Sequence, residues 1–143
     1  SAAAGASGLI LPDLPPELVR EGYKEACDKA ALHPVYVVSP NTGRERLEVI
    51  AEAGSGLLYA TSRTGTTGKE MDLQMQELTG FLASARETCG MPIAVGFSIS
   101  TREQVEALRG HADIAVVGTH FIRTWEEGGV EALAAELNKL TGS

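Results

Sequence analysis

Two cysteines in 143 residues are too few for a disulfide framework. Cys27 and Cys89 fall on the apolar stripes of predicted helices, nothing about them suggests a metal site, and a reducing cytoplasm is the expected compartment. Positive charge is also scarce. Twelve Lys and Arg against 19 Asp and Glu leave a formal charge of −7, which argues against a nucleic-acid or anionic-membrane surface. A phosphorylated ligand would therefore be held by local backbone dipoles rather than by a basic face. No apolar run is long enough to span a bilayer, and the first residues lack the basic region and apolar core of a secretory signal. The remaining composition, 43% hydrophobic and 22% charged, is that of a soluble protein, and residues 1–143 suffice for a single domain with a real core.

The most informative stretch runs from Met91 to Thr119. It holds two strand-then-loop units, Pro92-Ile-Ala-Val-Gly96-Phe97-Ser98-Ile99-Ser100 and Ile114-Ala-Val-Val-Gly118-Thr119. Each is a run of β-branched and small apolar residues ending in Gly, the pattern of a buried parallel strand. Glycine at the carboxyl end lets the backbone come close to a ligand. Two adjacent strands ending this way point to a phosphate held by backbone N–H groups and a helix N-terminus.

Taken in order, Ala2-Ala-Ala-Gly5 reads as the tail of a helix whose body is missing, with Gly5 as its cap. The same grammar recurs at Glu52-Ala-Gly54 before Leu57, and at Arg109-Gly110 before Ile114. Leu9-Ile-Leu11 is the first strand, and Pro15-Pro16 opens a helix whose apolar face includes Leu18, Gly22, Tyr23, Ala26, Cys27 and Ala30. Val35–Val38 is the second strand, after which Thr42-x-x-Glu45 fits a capping box for a helix with Leu47, Ile50 and Ala51 inward. Leu57–Thr61 is the third. The polar, Gly-rich loop Ser62–Lys69 that follows is long enough to suggest a function, and a helix with Leu78, Phe81, Leu82 and Ala85 inward comes next. Ser100-x-x-Glu103 fits another capping box, before a helix burying Val105 and Leu108. Thr119–Arg123 starts a short helix that Gly128-Gly129 breaks, and Val130–Leu140 forms the last one. His33 and His111 read as solvated loop residues and His120 as a surface histidine, while Trp125 reads as packing the short helix down.

Strand starts near residues 9, 35, 57, 93 and 114 make five parallel βα units, an α/β fold. Five units do not close an eight-stranded barrel. A (β/α)8 barrel takes about 250 residues, so about 110 residues or three units are wanting. The fold class expected is a partial TIM (β/α)8 barrel.

One loop makes the pattern specific. Tyr59-Ala-Thr-Ser62-Arg63-Thr-Gly65-Thr-Thr67-Gly68 resembles the Ser-Arg-x-Gly-x-Thr-Gly loop after the sixth strand of the tryptophan synthase α subunit family. Leu11-Pro12-Asp13-Leu14-Pro15 is similar to the family's segment after strand four, and Ser39-Pro40-Asn41 to its turn after strand five. Gly96-Phe97-Ser98-Ile99-Ser100 and Val117-Gly118-Thr119 are similar to the loops after strands seven and eight. The resemblance covers essentially the whole chain and implies a lyase that cleaves indole-3-glycerol phosphate to indole and glyceraldehyde 3-phosphate.

By that resemblance Gly68, Gly96, Ser98, Gly118 and Thr119 cradle the substrate phosphate, and Ile10, Tyr59, Phe97 and Val116 line the indole side. Arg63 and Gly65 belong to the lid loop, Thr67 supports a catalytic carboxylate, and Asp13 faces a β subunit. The chain itself takes no cofactor, since pyridoxal phosphate belongs to that β subunit. Ser98 departs from the family, which has a second Gly there. The family's catalytic Glu and Asp lie after its second strand and just beyond, and no carboxylate of this chain matches them. The residues alone leave other readings open: Tyr59 and Phe97 serve equally as core residues, and Asp13 equally as a partner for its helix dipole. Two alternative functions stand beside the lyase. One is a phosphate-binding half-barrel that self-associates through its exposed strand edges. The other is a different phosphate-binding barrel enzyme, against which the Ser62–Gly68 loop argues.

Overall fold

Each apolar run forms a strand, and the strands lie side by side in chain order. A computed structural model describes residues 1–12, 22–61, 69–96 and 99–142, with the side chains of 69–72 excepted. A single helical turn, Ala2–Ala4, ends at Gly5 in the left-handed conformation (φ 82°), as its Ala-Ala-Ala-Gly pattern requires. Then come β1 (Gly8–Ile10), α1 (Tyr23–Lys29), β2 (His33–Val38), α2 (Arg44–Ala53) and β3 (Leu58–Thr61). They are followed by α3 (Lys69–Cys89), β4 (Ile93–Gly96), α4 (Arg102–Ala107), β5 (Ile114–Val116) and α5 (Thr119–Thr141). The five strands form one parallel sheet in the order β1-β2-β3-β4-β5, the consecutive βα arrangement expected.

Register sorts the side chains onto two faces. Tyr36 pairs with Leu58 and Leu58 with Ile93; Val38 pairs with Ala60 and Ala60 with Val95. These residues face the helices and are buried, packed on Leu47, Ile50 and Ala53 of α2 and on Leu78, Leu82 and Ala85 of α3. Each buried Leu or Ile contributes roughly 1.5–3 kcal/mol. The alternate residues face the other way. Ile10, Val35, Val37, Tyr59, Ala94, Ile114 and Val116 share that second face by the same pairings, and Ile10 and Ile114 are each 45% exposed there.

The helix caps differ from expectation. Thr42 does not cap α2. Its hydroxyl accepts from the Ser39 N–H (3.0 Å), closing the turn after β2, and Gly43 precedes the helix instead. The box before α4 sits one residue later than Ser100-x-x-Glu103. Thr101 accepts from the Gln104 N–H (3.3 Å), and Gln104 Oε1 accepts from Thr101 N–H (3.1 Å) and Ser100 N–H (2.8 Å). Both templates fit the local sequence, but position 104 is buried and 103 exposed. Burying a neutral amide that makes its hydrogen bonds costs less than burying a carboxylate, so Gln104 takes the role. At the other helix of this unit the expectation holds, since α5 changes direction at Gly129 (φ 69°, ψ −158°). In α1, Cys27 is buried as expected but Ala26 is exposed, and Gly22 stands before the helix at φ 94°. Leu18 and the Pro15-Pro16 start lie outside the described residues.

Trp125 does not pack its helix down; it is 57% exposed. Its helix follows β5, an edge strand, so the described residues include no element beyond it to cover the indole ring. Nor is His33 a loop residue: it opens β2 and its Nδ1 lies 2.9 Å from Ser55 Oγ. Cys89 donates its Sγ–H to Leu47 O (3.3 Å), and burial pushes the thiol up, which leaves it less reactive.

Asp113 joins the sheet's amino end together. It accepts from the buried Ile93 N–H (2.7 Å) and from Arg86 of α3 (2.8 Å), and its own N–H donates to Ile93 O (2.9 Å). The Ile93 N–H foremost, then Arg86, holds its carboxyl below the ordinary 3.8. A lowered carboxyl stabilises the fold above its unfolded value and loses that contribution as pH falls through the folded one. Asp113→Ala should lower stability by about 1–2 kcal/mol at neutral pH, discounted for partial exposure, and should flatten the loss of stability below pH 3.8. Urea denaturation at a series of pH values reads both effects.

Candidate functional site

The carboxyl ends of β3, β4 and β5 converge on one rim of the sheet. Thr61 pairs with Gly96, and Gly96 with Val116, so these three residues stand in a row on the face opposite the helices. Tyr59 lies one pleat below Thr61 on that same face. Ile10 at the end of β1 shares it through its pairing with Val35. Three of the four residues expected to line an apolar pocket, Ile10, Tyr59 and Val116, are thus brought to one surface. The fourth, Phe97, lies outside the described residues, as do Asp13, Arg63, Gly65, Thr67, Gly68 and Ser98.

Tyr59 is half-buried, and its ring reaches along the sheet to Gly96. A methyl group built on Gly96 would overlap the Tyr59 hydroxyl and come 2.7 Å from ring carbon Cζ. A side chain at this position would have to displace the Tyr59 ring, because the neighbouring strand's aromatic occupies the volume it would need. Thr61 anchors the rim by donating its hydroxyl to Val38 O (3.3 Å), a contact that sequence spacing does not disclose.

Gly118 and Thr119 serve a different purpose. Gly118 precedes the first turn of α5, contributes no side-chain cap, and has open space where a side chain would stand. The first N–H groups of any helix lack partners within it. Here they meet the positive end of the helix dipole, with no acidic residue in the first turn to compete for them. An anion at this end would meet backbone donors without needing Lys or Arg.

His120, expected at the surface, is partly buried instead, and its Nε2 lies 2.9 Å from Glu136 Oε1. No spacing rule would find this pair, which spans 16 residues.

The carboxylates with shifted values are structural. The Glu103 backbone N–H and the Thr101 hydroxyl hold Glu103 low, and Arg109 does so for Glu106. Asp113 is held low by Ile93 and Arg86, and Glu136 by His120 and then Lys139. A general acid at neutral pH needs its value raised, so none of these four suits that role. Among the described residues no cluster of His, Cys, Asp or Glu could hold a metal ion, and no helix is long and apolar enough to cross a membrane.

The chain is similar to known proteins along nearly its whole length. The family described as "Tryptophan synthase alpha chain" matches residues 1–141. A tryptophan synthase alpha chain of Syntrophotalea carbinolica is 41% identical over 139 residues, covering 97% of this chain and 54% of the relative. One of Methanosarcina barkeri is 43% identical over 143 residues, covering 96% and 53%. Among solved structures, the tryptophan synthase α2β2 complex of Pyrococcus furiosus superposes with a TM-score of 0.83 at 32% identity, covering 99% of this chain and 58% of that one. The chain therefore spans about half the length of the curated relatives it matches.

The Gly96–Tyr59 contact makes a separable prediction. Gly96→Ala should cost about 1–3 kcal/mol by overpacking. In a Tyr59→Ala background the same substitution should cost well under ~1 kcal/mol, because the overlapping ring is gone. Equal costs in the two backgrounds, measured by urea denaturation, would show that Tyr59 is not the reason for glycine.

Proposed function

The chain belongs to the tryptophan synthase alpha chain family, and on that premise we propose that it forms the substrate-holding side of a lyase acting on indole-3-glycerol phosphate. One observation supports this reading most. The register places Ile10, Tyr59 and Val116 on a single face, and the chain leaves that face at Gly118 to open α5 with uncapped N–H groups. An apolar wall beside an anion-binding helix end suits a planar aromatic ring joined to a phosphate by a short polar chain. In this reading the phosphate rests on the backbone at Gly96, Gly118 and Thr119, with Gly68 and Ser98 added by family resemblance. The indole ring lies along Ile10, Tyr59 and Val116, with Phe97 added in the same way.

The chemistry needs more than a holder. Breaking the bond between the indole ring and the glycerol chain turns a hydroxyl into an aldehyde and places a proton on the ring carbon. An acid and a base must therefore act together. Family resemblance assigns these roles to a Glu and an Asp that have no counterpart here, with Thr67 supporting the carboxylate and Arg63 and Gly65 in the loop that covers it. The alpha chain of this family needs no cofactor, pyridoxal phosphate belonging to the beta subunit. A β subunit is the proposed partner, by likeness to the α2β2 complex of Pyrococcus furiosus, and Asp13 lies in the segment that would face it.

Alone, the chain should bind phosphorylated ligands weakly and lack turnover. Incubation with indole-3-glycerol phosphate should release no indole above the uncatalysed background. Sustained turnover at the rate of an intact relative would overturn the claim of inactivity.

A second reading rests on the sheet's two edges. Ile10 and Leu11 flank one, Ile114 lies on the other, and Ile122, Trp125 and Val130 are exposed on the helix beyond it. Apolar edges of this kind invite pairing with another copy. Light scattering at micromolar concentration should then give a mass at least twice 15.0 kDa, whereas a clean monomer would exclude this reading.

A further inference from the structure

Building on the phosphate reading above, we propose that His120 is a positioning residue. It clamps the phosphate-facing first turn of α5 to the far half of the same helix, across the change of direction at Gly129.

The argument begins with distance. His120 and Glu136 are 16 residues apart, a separation that spans about 24 Å along a straight α-helix at 1.5 Å per residue. Their side chains nevertheless meet at 2.9 Å. The two halves of α5 must therefore fold back on each other at Gly129, whose φ of 69° with ψ of −158° is open to glycine and strained for other residues. Gly128 precedes it, so two adjacent glycines form the bend and little in the backbone itself fixes its angle.

The second half carries the buried Leu140, and the Gly142 that ends the helix lies against the Arg102 guanidinium of α4. Elsewhere both halves expose apolar residues, Ile122 and Trp125 in the first and Val130 and Leu137 in the second. His120 joins the two. Its partner Glu136 is mostly shielded, and Lys139 Nζ holds both carboxylate oxygens at 3.2 Å. Within the first half, the Thr124 hydroxyl donates to His120 O (3.0 Å), stiffening the turn that carries the imidazole.

Consequently the orientation of the N–H groups at Thr119 and beyond depends on a side-chain pair on the opposite side of the bend. Gly118 offers no side chain to hold them, so this clamp aims the anion-binding end. Glu136 itself lies on the other half of the helix and makes its contacts with His120 and Lys139.

Two measurements on the 143-residue chain test this. Amide hydrogen exchange at residues 122–126, whose N–H groups are the first to be bonded within α5 (Ile122 N–H to Gly118 O), reports the clamp, and an NMR titration with glycerol 3-phosphate reports its effect on anion binding. His120→Ala and Glu136→Ala should each speed exchange roughly tenfold and weaken glycerol 3-phosphate binding to a similar degree, the scale of one hydrogen bond to a charged group. The double variant should be no worse than either single one. Glu136→Gln, whose amide oxygen still accepts from the imidazole, should recover most of both. If Glu136→Ala leaves exchange and affinity unchanged, the proposal fails. Weakened binding in His120→Ala alone would likewise overturn it, showing that the imidazole touches the anion directly. If the unmodified chain takes up no glycerol 3-phosphate while both alanine variants speed exchange, the clamp stands and the phosphate reading falls.

Discussion

Tyr59 lies opposite Ala94 and Thr61 opposite Gly96, and that register sets the direction of every side chain in the sheet. In a parallel sheet successive residues alternate between faces, so a slip of one position would exchange the two sets completely. The register seen here sends Leu58, Ala60, Ile93 and Val95 under α2 and α3, where they are fully buried. It leaves Ile10, Tyr59 and Val116 on the other face. The buried set stabilises the sheet, and the opposite set is free to shape a site. The division between core and candidate site is thus one geometric consequence rather than two.

Glycine is used in three different ways around this framework. Gly96 gives up the volume that Tyr59 occupies, so its role is packing. Gly118 has space around it and leaves the helix end behind it uncapped, so its role is exposure of backbone donors. Gly129 takes a conformation that other residues reach only under strain, and lets α5 fold back. A reading of glycine as a generic loop former would merge these roles. Only the neighbours of each residue separate them.

Among the described residues, charged side chains are used mainly away from the helix end at Gly118. The carboxylates with lowered values serve caps, helix pairs and the Asp113 junction between α3, β4 and β5. The helix end at Gly118, by contrast, has no acid in its first turn. In the proposed reading an acidic chain holds an anion there through backbone donors rather than through Lys or Arg. Holding a phosphate and transferring protons are different tasks, and in the proposed reading this chain performs the first.

Much of this was legible in the sequence alone. Strand starts expected near residues 9, 35, 57, 93 and 114 appear at Gly8, His33, Leu58, Ile93 and Ile114, because short apolar runs bounded by turn residues have few other ways to fold. That Tyr59 and Thr61 share a face follows from period two; that Ile10 and Val116 join them required the register between strands. Tertiary structure decided the rest. Thr101 and Gln104 took the cap from Ser100 and Glu103 because burial separates two templates one residue apart. Trp125 is exposed because its helix stands at an edge, and His120 meets Glu136 because α5 reverses. Local hydrogen bonds and periodicity are written in neighbouring residues; burial and the angle of a bend arise only when distant parts of the chain meet.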